Sequence, residues 1–125
     1  MFKVSPNTEP LEAWPAMGLP NYTILHGNPV ASGLLQLGKL DSQIRVGIWR
    51  CTEGTFECVE AGDELQTIIK GKLRITDPNG TTHEFIQGDS FFTRKGEKMI
   101  WDIVEPVEKI FFTYNTEGTT EKSHK

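Results

Sequence analysis

"GDELQTIIKGKLRIT", residues Gly62 to Thr76, is the stretch whose reading decides the fold. It reads as two short strands joined by a tight turn. "LQTIIK" is apolar and β-branched, Gly71 turns the chain, and "KLRIT" returns. Glu64 places a carboxylate at the mouth of this hairpin, with six residues between it and Gly71. In a metal site built around such a Glu, two histidines would stand just upstream. This chain reads "FECVEA" there, Phe56 to Ala61. The question is whether the site has replaced its ligands or lost its metal.

Working outward, the same grammar of short strands and turns continues on both sides. Downstream, Asp77-Pro78-Asn79-Gly80 is a hairpin turn, because Asn-Gly supplies the positive φ such turns need. "THEFI" returns, Gln87-Gly88-Asp89 turns again, and "SFFT", "KMIWDIV" and "EKIFFTY" follow, with Glu105-Pro106 at the last corner. Upstream stand "SGLLQLGKL", "IRVGIWRC" and, after Glu53-Gly54, "TFECVE". No eleven-residue window carries a helical period. Strands recurring at roughly 8–12-residue spacing predict an all-β sandwich or barrel. A hairpin around Glu53-Gly54 would bring Cys51 near Cys58, yet the ordinary reading is two free thiols, at least one of them buried.

Three segments result. Residues 1–21 carry Pro6, Pro10, Pro15 and Pro20, which forbid helix and predict an irregular arm, with Trp14 and Met17 as its anchors. Residues 22–115 are expected to form the sandwich or barrel. Residues 116–125 are polar, without an apolar anchor, and predict a frayed tail. At 125 residues the chain suits one core, and its seven Phe and three Trp supply the buried area. The net charge is −4 with no basic stripe, so nucleic acid is not an expected partner. No apolar run approaches the roughly 18 residues that cross a bilayer. The start of the chain has no apolar signal region, so a cytoplasmic location is expected.

The motifs join into a larger pattern. Glu64 and Gly71 fit the second half of G-x5-H-x-H-x(3,4)-E-x6-G, and Gly88 and Gly96 fit G-x5-P-x-G-x2-H, the two-part pattern of the cupins. Arg94 stands where that pattern has Pro, and Met99 where it has His. The stretches "IWRCTEGTF", "GDELQTIIKGKLRITD", "GDSFF" and "MIWDIVEPVEK" resemble, in order and spacing, the cupin branch named after (S)-ureidoglycine aminohydrolase and the ethanolamine-utilisation cupins. The resemblance covers roughly residues 30–114. It implies a small RmlC-like jelly-roll β-barrel of two antiparallel sheets, with a ligand site in its mouth.

In such a barrel, side chains at i and i+2 of one strand face the interior together. Two registers of "FECVEA" fit. One turns Cys58 and Glu60 inward with Phe56; the other turns in Glu57 and Val59. The first is preferred because it buries Phe56. The candidate metal set is then Cys58, Glu60, Glu64 and Met99, which mixes hard oxygens with soft sulfurs and suits Mn, Fe or Zn poorly. No metal or other cofactor is therefore expected. None of His26, His83 and His124 falls at a ligand position: His83 reads as a surface residue, His26 as a loop or edge residue, and His124 lies in the tail.

Without metal, Glu64 and Glu60 are the candidate catalytic carboxylates, since burial and mutual repulsion raise a carboxyl pKa into acid–base range. Glu64 equally suits the ammonium of a small amine, or a structural pairing with Arg74 or Arg94. Trp49, Cys58, Arg94, Met99 and Trp101 are the candidate ligand-binding residues, with Arg94 as an anchor for an anion. The expected function is small-molecule binding, linked to a nitrogen-containing or carboxylate metabolite. The alternatives are a metal-dependent aminohydrolase of ureide catabolism, as the resemblance implies, and a metal-free isomerase or lyase using Glu64. Whether the chain catalyses anything stays open. A homodimer is expected under every reading, because a cupin's sheet edges need cover.

Overall fold

A computed structural model describes residues 1–4, 12–13, 22–39 and 42–115. Trp14, Met17 and the tail from Thr116 lie outside the described residues. Among those described, nine strands form one antiparallel sheet. They are β1 (Glu12–Ala13), β2 (Tyr22–Gly27), β3 (Ala31–Leu37), β4 (Ile44–Cys51), β5 (Gly54–Val59), β6 (Asp63–Thr76), β7 (Thr82–Ile86), β8 (Ser90–Thr93) and β9 (Lys98–Tyr114). Among the described residues, no helix is long and apolar enough to cross a membrane.

Two long strands organise the sheet. β9 runs antiparallel beside β6 along most of its length. On its other edge the C-terminal half of β9 pairs with β4 and the N-terminal half with β5. The far edge of β6 is likewise divided, between β8 and β7. Each half of the shared pair thus carries its own flanking strands, β3–β4 and β8 in one half, β2–β5 and β7 in the other. The two halves fold toward each other about the middle of β6 and β9. The result is a curled half-barrel made from one continuous sheet, where two sheets were expected.

The crease explains two corrections to the sequence reading. Gly71 does not reverse the chain, and Glu105-Pro106 is not a corner: both lie within continuous strands. The pairing of β6 with β9 slips near Ile68, Lys70 and Lys72, so each strand bends without turning back. Gly71 has φ +94°, and a Cβ there would sit 2.1 Å from the Pro106 carbonyl oxygen. Only glycine lets the backbones approach so closely at the fold line. Pro106 falls between the stretches of β9 that pair with β5 and β4, so its missing N–H costs that edge no ladder bond. The cysteines are as expected, although the hairpin that could have brought them together does not form. β4 and β5 do not form a hairpin, because each pairs with β9 instead. Cys51 and Cys58 are free, and Cys51 is buried.

The core lies between the halves. Trp101 joins them: its ring stacks on Phe56 at 5.9 Å and meets Trp49 edge-on at 5.7 Å and Phe91 at 5.9 Å. Phe91 in turn stacks on Phe85 at 4.3 Å, and Phe56 on Tyr22 at 4.4 Å. Leu73, Ile75, Ile103, Ile68 and Met99 fill the space around these rings. The preferred register of β5 holds: Phe56 is in the core, Cys58 packs against it, and Glu57 faces Lys98 at 3.5 Å on the other side.

Candidate functional site

One buried polar chain crosses this aromatic interior. Strand alternation from Leu73 and Ile75 does not survive the crease in β6, yet Gln66 and Glu64 still face inward beyond it. Glu64 lies opposite Thr113 and Gln66 opposite Phe111. The Thr113 hydroxyl donates to Glu64 Oε1 at 2.8 Å, and Lys109 Nζ donates to Oε2 at 3.1 Å. Lys109 also donates to Gln66 Oε1. The Gln66 amide donates to Thr93 Oγ1 at 3.0 Å, and that hydroxyl donates to Glu60 Oε1 at 3.3 Å. The Cys58 thiol closes the chain on Glu60 Oε2 at 3.5 Å. Apart from the local Cys58–Glu60 contact, every link joins side chains far apart in sequence, so the fold itself assembles the network.

Lys109 is the centre of it. The residue is only 5% exposed. Its ammonium sits over the rings of Trp49 at 4.6 Å, Trp101 at 4.8 Å and Phe111 at 5.8 Å. The aromatic faces and the Glu64 carboxylate together surround the ammonium with favourable electrostatic contacts. Glu60 is the opposite case. Burial, then the nearby Glu64 carboxylate, push its pKa from 4.5 up to about 7, against the opposing pull of Lys109, Cys58 and Thr93. Burial and the Glu60 charge hold the Cys58 thiol well above its ordinary value, and burial pushes Cys51 up to about 11. Lys109 pulls both thiols the other way, but burial outweighs it, so neither has the lowered pKa of a reactive cysteine. Trp49 and Trp101 each bury an indole N–H that finds no acceptor.

The structure brings Glu60, Glu64, Cys58, Trp49 and Trp101 together. Met99 lies beside Cys58 in the strand register, as apolar filling. Arg94 is exposed on the turn before β9, where its backbone N–H donates to Glu97 Oε1 at 2.7 Å, and it is not part of the network. Glu64 pairs with Lys109 and not with Arg74, which bonds Glu84 at 3.2 Å. His83 is exposed and bonds Asp77 at 2.9 Å; His26 lies exposed on edge strand β2; His124 lies outside the described residues.

Sequence reasoning missed Lys109, Gln66, Thr93 and Thr113. For Lys109 and Thr113 a signal existed. Both share odd-numbered parity on β9 with Met99, Trp101 and Phe111, so an inward Trp101 implies an inward Lys109.

The fit of a metal can be judged from the donors. Among the described residues, no three His, Cys, Asp or Glu side chains converge to hold one. Glu64, at the position of a cupin's ligand Glu, spends one oxygen on an ammonium and the other on a hydroxyl. A metal beside Nζ would face a like charge. The residues present do not fit a metal centre.

Residues 38–111 match the EutQ-like cupin domain. Among solved structures, the EutQ protein of Clostridium difficile superimposes with a TM-score of 0.61 at 22% identity, over 71% of each chain. A protein designated ethanolamine utilization protein Q from Salmonella typhimurium gives 0.60 at 19% identity, over 68% of this chain and 69% of that one. A protein of unknown function from Pseudomonas syringae pv. tomato gives 0.74 at 18% identity, over 87% of this chain but 46% of its own. These likenesses establish the fold. No curated protein matches the chain.

Proposed function

This chain belongs to the EutQ-like cupin domain family, and from that premise we propose that it binds a small nitrogen-containing or carboxylate metabolite without a tightly held metal. The observation that carries this reading is the buried network itself. A barrel that served only as packing would gain by filling its interior with apolar side chains. This one buries a Lys–Glu pair, a second carboxylate and two indole N–H donors without acceptors. Buried donors of that kind mark a place where a polar group completes the bonding.

A second reading has one observation in its favour. Glu60, with a pKa near 7, is poised to give or take a proton at neutral pH, which suits metal-free isomerase or lyase chemistry. In that reading Glu60 is the better acid–base candidate, because Glu64 is committed to Lys109 and Thr113. Ureide aminohydrolase chemistry gains no support from these donors.

Nucleic acid and membranes are not proposed as partners. A second copy is. On the outer face, Leu65 lies between Phe92 and Phe112 in the strand register, and the three are 47%, 56% and 42% exposed. Such a row favours cover by an identical face.

The test is elemental analysis of protein purified without chelator, followed by thermal shift against Mn²⁺, Fe²⁺ and Zn²⁺ and against a panel of small amines, amides and carboxylates. Substoichiometric metal, no metal-induced shift and stabilisation by at least one organic class are expected. Stoichiometric metal that Glu64→Gln abolishes would overturn the reading.

A further inference from the structure

We infer that Lys109 supplies, as a built-in ammonium, the positive charge that a metal ion supplies elsewhere in this fold, and that the interior is a carboxylate site. The inference deepens the proposed function and rests on it. The ammonium sits on Oε2 of Glu64, the carboxylate at the position of a cupin's metal-binding Glu. It therefore occupies ground that a metal held by Glu64 would need.

A count of donors and acceptors gives the ligand class. Lys109 has three N–H donors, and the carboxylate of Glu64 and the amide oxygen of Gln66 take two of them. The third has only the faces of Trp49, Trp101 and Phe111 around it. The indole N–H groups of Trp49 and Trp101, both rings against this ammonium, add two more donors without acceptors. On the acceptor side, both oxygens of Glu64 and both oxygens of Glu60 already receive a donor. These oxygens keep further lone pairs, but neither indole N–H is bonded to any of them, and a carboxylate ligand beside Lys109 supplies the missing acceptor.

The same count argues against an amine ligand. The position that suits an ammonium, between a carboxylate and three aromatic faces, is filled by the chain's own lysine. A second cation there would meet a like charge at close range.

The test uses the full chain and the tryptophan fluorescence that Trp49 and Trp101 provide beside the site. The probes are acetate, benzoate and their amine counterparts ethylamine and benzylamine. Lys109→Met/Glu64→Gln removes both charges together, so that no buried ion is left unpaired and the fold survives. Wild type is expected to bind the carboxylates and not the amines. Glu64→Gln is expected to tighten carboxylate binding. The double variant is expected to weaken it by roughly tenfold or more, the scale of a lost charge-assisted hydrogen bond. Equal carboxylate binding by wild type and the double variant would overturn the inference. Binding of the amines alone would also overturn it, while leaving small-molecule binding intact. A protein that responds to neither class would remove both the inference and the function it rests on.

Discussion

Replacing Lys109 with methionine isolates the electrostatic role of the buried cation, because methionine has a similar length and packs well against aromatic rings. The ammonium lies 3.1 Å from Glu64 Oε2, with side-chain exposures of 7% and 16%. At an effective dielectric of about 20 that attraction is on the order of 5 kcal/mol, before either ion's desolvation is charged against it. The substitution removes the attraction and leaves the Glu64 carboxylate buried with only the Thr113 hydroxyl as donor. Breaking a buried pair from one side costs about 3–5 kcal/mol. The value here should sit near the low end, since Glu64 retains some contact with water. With a urea m-value of about 2 kcal/mol/M, the midpoint should fall by roughly 1.5 M. Lys109→Met/Glu64→Gln should recover most of the loss, because it leaves no unpaired ion. Urea unfolding at neutral pH, followed by fluorescence for all three proteins and closed as a double-mutant cycle, measures both effects. A Lys109→Met protein within about 0.5 kcal/mol of wild type would refute the reasoning, since the pair would then be too well solvated to matter.

Other consequences are as specific. Glu60 has a folded pKa of about 7 against 4.5, so the folded state holds its proton more tightly than the unfolded chain does. That contribution to stability is complete below pH 4.5 and is lost as the pH rises to about 7, by on the order of 3 kcal/mol. Glu60→Gln should remove this slope from denaturation curves taken between pH 4.5 and 7; an unchanged slope would assign it to other groups. Gly71→Ala places a Cβ 2.1 Å from the Pro106 carbonyl oxygen at a φ of +94°, and should cost about 3 kcal/mol or more, read as a lower Tm or as insoluble protein. Leu65→Arg on the exposed row should convert dimer to monomer in sedimentation without changing circular dichroism, and a wild-type monomer at micromolar concentration would remove the proposed interface.

How much of this was legible follows from which signals are local. The Asp77–Gly80 turn, the inward set Phe56, Cys58 and Glu60, and the burial of Trp49 and Trp101 all follow from turn chemistry or from a period of two. The merging of "LQTIIK" with "KLRIT" into β6 does not. Gly71 signals a special backbone conformation, but a glycine that bends a strand and one that reverses it look alike in sequence. What separates them here is Pro106, 35 residues away, whose carbonyl approaches Gly71 across the crease. That β4 and β5 would not pair as a hairpin around Glu53-Gly54 was hidden for a related reason. β9 is long enough to take both β4 and β5 on one edge, and nothing near Glu53-Gly54 reveals that competitor. Arg94 drew attention by departing from a family pattern, whereas Lys109 matched one, and the residue that matched proved to lie at the centre of the interior.

The charges inside the half-barrel form a connected set. Lys109 and Glu64 cancel, the Cys58 thiol is neutral, and Glu60 stands between its charged and neutral forms near pH 7. Cys58 on β5, Thr93 on β8, Glu64 on β6 and Lys109 on β9 are the groups that act on it. A carboxylate arriving at Lys109 would add another negative charge to the one that already raises the pKa of Glu60, and would draw a proton onto it. On the proposed reading, carboxylate binding would then be accompanied by proton uptake at Glu60. A fixed ammonium cannot exchange, change its valence or be removed by a chelator. What remains adjustable in this interior is the protonation of Glu60, whose pKa of about 7 would let it answer the charge of the proposed carboxylate.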